Sequence, residues 1–130
     1  MVHVLSSRFL LRPTDPERSR AFYGGQLALP VYREFGTGPD RGTVYFLGGG
    51  FLELSGRSDV PPSPATRLWL QVPDAAAAHD ELRGAGVTVV RAPVREPWGL
   101  IEMWIEDPDG VPIVLVEVPA DHPLRYRPGI

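Results

Sequence analysis

EDPDGVPIVLVEVP, residues 106–119, reads as a tight turn followed by a strand. Asp107-Pro108-Asp109-Gly110 supplies the turn chemistry, Pro108 by fixing φ and Gly110 by tolerating φ > 0. From Val111 to Val118 the β-branched residues favour an extended chain. Upstream of this strand, the same order of elements occurs twice. A strand-like stretch, Val4–Arg12, alternates Phe9 and Leu11 with Arg8, Leu10 and Arg12. Asp15 then caps a helix that has Pro16 at its first position and runs through ERSRAFYGGQLA. Phe22, Tyr23 and Leu27 are candidates for its buried side. Leu29–Phe35, Thr43–Leu47 and Phe51–Ser55 read as three strands separated by Gly-rich turns.

After a Ser/Pro-rich linker, SGRSDVPPSPAT (55–66), the order returns. Arg67–Val72 is a strand, Pro73-Asp74 opens the helix AAAAHDELRGAG, and Val87–Val90, Leu100–Glu106 and Pro112–Val118 are strands. Arg8 stands seven residues before Asp15, and Arg67 seven residues before Asp74. Both halves therefore follow β-α-β-β-β in matching register. This is an internal duplication, and two such halves suffice for one shared site. The expected organisation is a single domain with module one at 4–55, a linker at 56–65, module two at 66–118 and a tail at 119–130.

Composition excludes several classes of chemistry. At 130 residues the chain is long enough to bury a real core, and 43% hydrophobic with 22% charged residues is the balance of a soluble globular protein. A formal net charge of −3 gives no reason to expect nucleic acid. The absence of cysteine removes disulfides and thiolate sites. All thirteen basic residues are Arg, so Schiff-base lysine chemistry is also removed. No signal peptide or membrane span is read, and a cytoplasmic location is expected. GGGF at 48–51 is a hairpin turn without the strand–helix context of a phosphate loop.

The DPDG turn with its strand, and the doubled βαβββ order over 4–118, resemble the vicinal oxygen chelate superfamily of glyoxalases, bleomycin-resistance proteins and extradiol dioxygenases. The resemblance implies an α+β fold in which two βαβββ modules form a curved mixed sheet around a cavity, with the helices outside. In metal-binding members each module offers one ligand from its first strand and one from its last. Aligned on the FY of the first helix, these positions fall on Arg8, Glu53, Arg67 and Val114. Val114 stands four residues after Gly110, where the family usually has a carboxylate. A guanidinium offers donors and no lone pair for a metal, and sites of this type need roughly three or four N/O ligands. No metal and no cofactor are therefore expected, as in the metal-free bleomycin-resistance-like branch. His3, His79 and His122 read as ordinary surface or helix histidines.

If the family register holds, Arg8, Glu53 and Arg67 point into the cavity. Two guanidinium groups could flank one carboxylate as a salt-bridge plug, or keep donors for an anionic or carbonyl-rich ligand. Strand alternation places Trp69 with Arg67 and Gln71 on the cavity face, leaving Leu68, Leu70 and Val72 to the helix side. Trp104 and Glu102 share a face, as do Phe51 and Glu53. Trp98, in EPWGLIEMW, resembles the PWG stretch of the bleomycin-resistance branch, a loop near the cavity mouth. An aromatic wall with a few polar groups suits a small molecule.

The expected function is metal-independent binding of a planar or aromatic small molecule, antibiotic- or metabolite-like. Arg8, Phe51, Glu53, Arg67, Trp69, Trp98, Glu102, Trp104 and Val114 are the ligand-binding candidates. The alternative is a superfamily lyase, isomerase or dioxygenase, using a divalent metal or Glu53 or Glu102 as a desolvated acid/base. A C2 homodimer is expected, with cavities within a chain or between chains. The tail ADHPLRYRPGI is expected to pack over a partner or the rim.

Overall fold

A computed structural model of the chain describes residues 1–125, so the end of the tail, 126–130, lies outside the described residues. The chain divides into two compact units, Met1–Ser63 with Asp107–Gly110, and Pro64–Glu106 with the chain from Val111 onward. Each is a βαβββ module with its own four-stranded mixed sheet, an α+β architecture.

The first unit contains β1 (Arg8–Leu11), α1 (Pro16–Arg20), β2 (Val31–Phe35), β3 (Gly42–Leu47) and β4 (Gly50–Leu54). Its sheet order is β1-β4-β3-β2, with β1 parallel to β4 and the other pairs antiparallel. β1 is shorter than Val4–Arg12: its register with β4 begins where Arg8 pairs with Phe51, and Ser7 O accepts from Phe51 N at 3.2 Å. Asp15 caps α1, accepting from Arg18 N at 3.2 Å, with Pro16 in the first turn. The expected single helix gives way at Ala21–Gln26 to a π-helical turn, closed by Leu27 N donating to Phe22 O at 2.8 Å. Gly24 and Gly25 hold the narrower α-helical spiral weakly. The wider turn lets the adjacent Phe22 and Tyr23 both face inward, edge to face at 4.9 Å. They pack with Leu11, Tyr45, Leu52 and Leu54, all buried.

The DPDG turn belongs to this first unit, although the strands it joins belong to the second. Gly110 N donates to Asp107 O at 2.9 Å with Gly110 at φ +81°, and Asp109 N donates to Asp107 Oδ1 at 2.9 Å. The two aspartates also do what turn chemistry alone does not require. Buried Tyr23 donates its hydroxyl proton to Asp107 Oδ2 at 2.8 Å. Thr14 donates its backbone N–H to Asp109 Oδ2 at 3.0 Å and its hydroxyl to Asp109 Oδ1.

The second unit repeats the plan with β5 (Leu68–Gln71), α2 (Ala75–Gly84), β6 (Val89–Arg95), β7 (Ile101–Glu106) and β8 (Pro112–Glu117), in the sheet order β5-β8-β7-β6. Asp74 caps α2 from Ala77 N at 3.0 Å, the counterpart of Asp15, and Glu117 Oε1 accepts from Ala75 N at 2.9 Å. Both carboxylates sit at the positive end of the helix dipole. β6 continues to Arg95 rather than ending at Val90. Pro93 suggests a stop, but β6 is an edge strand with register shifts, where a residue lacking N–H is tolerated. Leu68, Leu82, Met103, Ile105, Ile113 and Leu115 form the buried helix side. The tail contributes a 3-10 turn, Pro123–Arg125. Among the described residues no helix is long and apolar enough to cross a membrane.

Candidate functional site

In the first unit the β1–β4 register aligns Arg8 with Phe51 and Leu10 with Glu53, and β3 adds Val44 and Phe46 to the same face. Leu52 and Leu54 take the opposite, helix-covered face. Arg8 Nη1 donates to Glu53 Oε1 at 2.8 Å, and the Arg8 guanidinium carbon lies 5.8 Å from the Phe51 ring centre. Phe51 belongs to a triad of rings, 4.8 Å from Tyr32 and 5.6 Å from Phe46. An open depression of about 320 Å³ is lined by Ser7, Arg8, Phe9, Leu47, Gly50 and Phe51.

The Ser55 hydroxyl hydrogen bond is the largest cause holding the Glu53 carboxyl below the usual glutamate range. Burial opposes it, and the Arg8 hydrogen bond and the charges of Arg8 and Arg33 add to the lowering. A carboxylate depressed in the folded state contributes stability above its unfolded value of about 4.3 and loses it as pH falls through the folded value. Carbon-13 NMR titration of the Glu53 carboxyl is expected to give a midpoint below that of an exposed glutamate. Ser55→Ala is expected to raise it more than loss of the Arg8 hydrogen bond does. An unshifted midpoint would remove Ser55 and Arg8 as its partners.

In the second unit, β5, β8 and β7 align Trp69, Val114 and Trp104 as direct cross-strand neighbours. Val114 is therefore an apolar spacer, 5% exposed, between the strand positions of two indoles. Trp104 packs against the buried cluster Leu100, Val114, Val116 and Val118, whereas Trp69 is half exposed. The exposed Arg67 places its guanidinium carbon 5.6 Å from the Trp104 ring centre. Trp98, 58% exposed, donates its indole N–H to Glu102 Oε2 at 2.7 Å. That bond satisfies a carboxylate that is only 8% exposed.

The structure thus brings Arg8, Phe51 and Glu53 together in one unit, and Arg67, Trp69, Trp98, Glu102, Trp104 and Val114 in the other. Arg67 rests on an indole face. At the four positions where metal-binding members carry ligands, Arg8 and Glu53 are bonded to each other, Arg67 is a cation and Val114 has no donor atom. Among the described residues no group of three or more His, Asp or Glu is placed to hold a metal ion. Neither a guanidinium nor a valine side chain offers a lone pair to a divalent cation.

Three residues near these faces were not among the sequence candidates. Tyr32 and Phe46 join Phe51, and Arg91 bonds Glu96 and, at 3.4 Å, the Glu102 carbonyl. GTVYFL is apolar almost throughout, so its period does not sort Phe46 from Tyr45. Tyr32 lies at a register shift between Val31 and Arg33.

Among solved structures the fold is similar to that of TnmS3, an antibiotic binding protein from Streptomyces sp. CB03234. The two share 24% identity over 92% of this chain and 99% of that one, with a TM-score of 0.75. A glyoxalase/bleomycin resistance protein/dioxygenase from Nocardioides matches at 16% identity over 100% of this chain and 91% of that one, with a TM-score of 0.74. UcmS2 matches at 21% identity over 88% and 98%, with a TM-score of 0.72. No curated protein sequence matches the chain. The profile of the Glyoxalase/Bleomycin resistance protein/Dioxygenase superfamily matches residues 2–115, and the chain belongs to that superfamily.

Proposed function

We propose that the protein binds a flat aromatic small molecule, antibiotic- or metabolite-like, without a metal ion. The observation that carries this reading is the Trp69–Val114–Trp104 row. A residue with no donor atom stands at a family ligand position, flanked on neighbouring strands by two large stacking surfaces. A flat ligand lies against this row and meets the exposed face of Trp98. Arg67 rests over Trp104 with its N–H donors open to an anionic or carbonyl-rich group. The likeness to an antibiotic binding protein supports a binding role over turnover.

Quenching of tryptophan fluorescence by pyrene-1-carboxylate and by its neutral amide, after dialysis against EDTA, tests the reading. The carboxylate is expected to bind about tenfold tighter than the amide, the worth of one charge-assisted contact. Arg67→Gln is expected to erase that preference while leaving the amide bound. Binding by neither probe, or binding that returns only with a divalent cation, would overturn the reading.

A further inference from the structure

We propose that residues 119–125 are part of the ligand site, with His122 positioning the Trp98 indole; this rests on the binding reading above. The sequence gives the tail a packing role at most and His122 none. In the structure the His122 ring bridges two backbone groups. Nε2 lies 3.0 Å from Trp98 O, and Nδ1 lies 3.2 Å from the Leu124 backbone nitrogen. Leu124 N–H can only donate and Trp98 O can only accept. These partners select one form of the ring: neutral, with its proton on Nε2.

The surroundings hold the ring in that place. Gly99 is at φ +92°, and a Cβ there would stand 3.1 Å from His122 Cδ2, so the imidazole packs directly on the glycine. Gly99 N donates to Glu96 O at 2.9 Å, and Arg95 Nη1 reaches Gly99 O at 3.3 Å. On the tail side, His122 N donates to Pro119 O at 3.0 Å, Arg125 N to His122 O at 2.9 Å, and Arg125 Nε to Val118 O at 2.6 Å. Trp98 is thereby fixed twice, through its indole N–H by Glu102 and through its carbonyl by His122. The indole face is left exposed and pre-set, so less motion has to be frozen when a ligand stacks on it.

Fluorine-19 NMR of the ligand-free protein labelled with 5-fluorotryptophan tests this, the Trp98 resonance being assigned by its loss in Trp98→Phe. His122→Ala is expected to shift that resonance and leave those of Trp69 and Trp104 in place. In His122→Gln, whose amide can still donate to Trp98 O, the parent position is kept. Affinity for pyrene-1-carboxylate is expected to fall about fivefold in His122→Ala, the cost of ordering one large side chain on binding, and to recover in His122→Gln.

An unmoved Trp98 resonance in His122→Ala, or one displaced in His122→Gln as far as in His122→Ala, overturns the positioning role. A shifted resonance with unchanged pyrene-1-carboxylate affinity overturns the place of His122 in the ligand site alone. Absence of pyrene binding in the parent protein, with the NMR behaviour as expected, fails the binding reading and with it the ligand role of the tail.

Discussion

Replacing Asp107 with alanine is expected to lower the unfolding free energy by about 3 kcal/mol, read as a shift in urea midpoint. Asp107 is 7% exposed and accepts from the hydroxyl of Tyr23, itself 1% exposed, and from Asp109 N. Alanine leaves the buried phenol without its acceptor and loosens the turn, so the cost exceeds that of one exchanged hydrogen bond. Tyr23→Phe removes donor and hydroxyl together but takes one partner from the buried carboxylate, so it too is destabilising.

The same pair sets an alkaline limit. Burial first, then the charge and hydrogen bond of Asp107, push the Tyr23 phenol far above its ordinary value. A group raised in the folded state gives its full stability below the unfolded value, near pH 10, and loses about 1.4 kcal/mol per pH unit above it. Tyr45, also raised mainly by burial, adds to that slope. In Tyr23→Phe the alkaline slope is expected to fall by one proton. An Asp107→Ala protein as stable as the parent, or an unchanged slope in Tyr23→Phe, would show that the phenol is not sealed from water.

Val114→Glu restores the residue type that the family usually carries at this position, and it is expected to cost about 3 kcal/mol and yield no metal site. Val114 is 5% exposed and packs with Leu100, Val116 and Val118 beside Trp104. A carboxyl group there has apolar neighbours and either protonates or forces water into the cluster. Thermal unfolding measures the loss, elemental analysis is expected to find no bound metal, and pyrene-1-carboxylate affinity falls by at least about tenfold. A Val114→Glu protein of parental stability would mean that water already reaches this floor. Stoichiometric metal would mean that the apolar substitution was all that excluded it.

Much of the architecture is legible in local chemistry. Asp15 and Asp74 read as helix caps, and both cap. Arg8/Leu10 and Trp69/Gln71 read as one face of a first strand, and the β1–β4 and β5–β8 registers bear this out, while Arg67 falls just before β5. Period-2 alternation survives folding because a slip of one residue would turn every side chain to the wrong face. The misses lie where local signals are weak or overruled. Val87–Val90 reads as a whole strand, yet the edge position of β6 lets it run through Pro93 to Arg95. AFYGGQ continues a helix on paper, yet burying Phe22 and Tyr23 side by side needs the wider turn.

The amino-acid sequence by itself determined the duplication, the α+β class and the chemistry at the ligand positions, because these depend on periodicity, caps and donor atoms that each residue carries with it. Tertiary structure alone decided the pairings. Arg8 bonds Glu53 while Arg67 lies on Trp104, Val114 stands between two tryptophan positions, the DPDG aspartates hold Thr14 and Tyr23, and His122 reaches the Trp98 carbonyl. The hydrogen bonds and ring contacts among these act over a few ångströms between residues as many as 95 positions apart. No local pattern encodes a partner at that separation; it follows only from how the chain closes on itself.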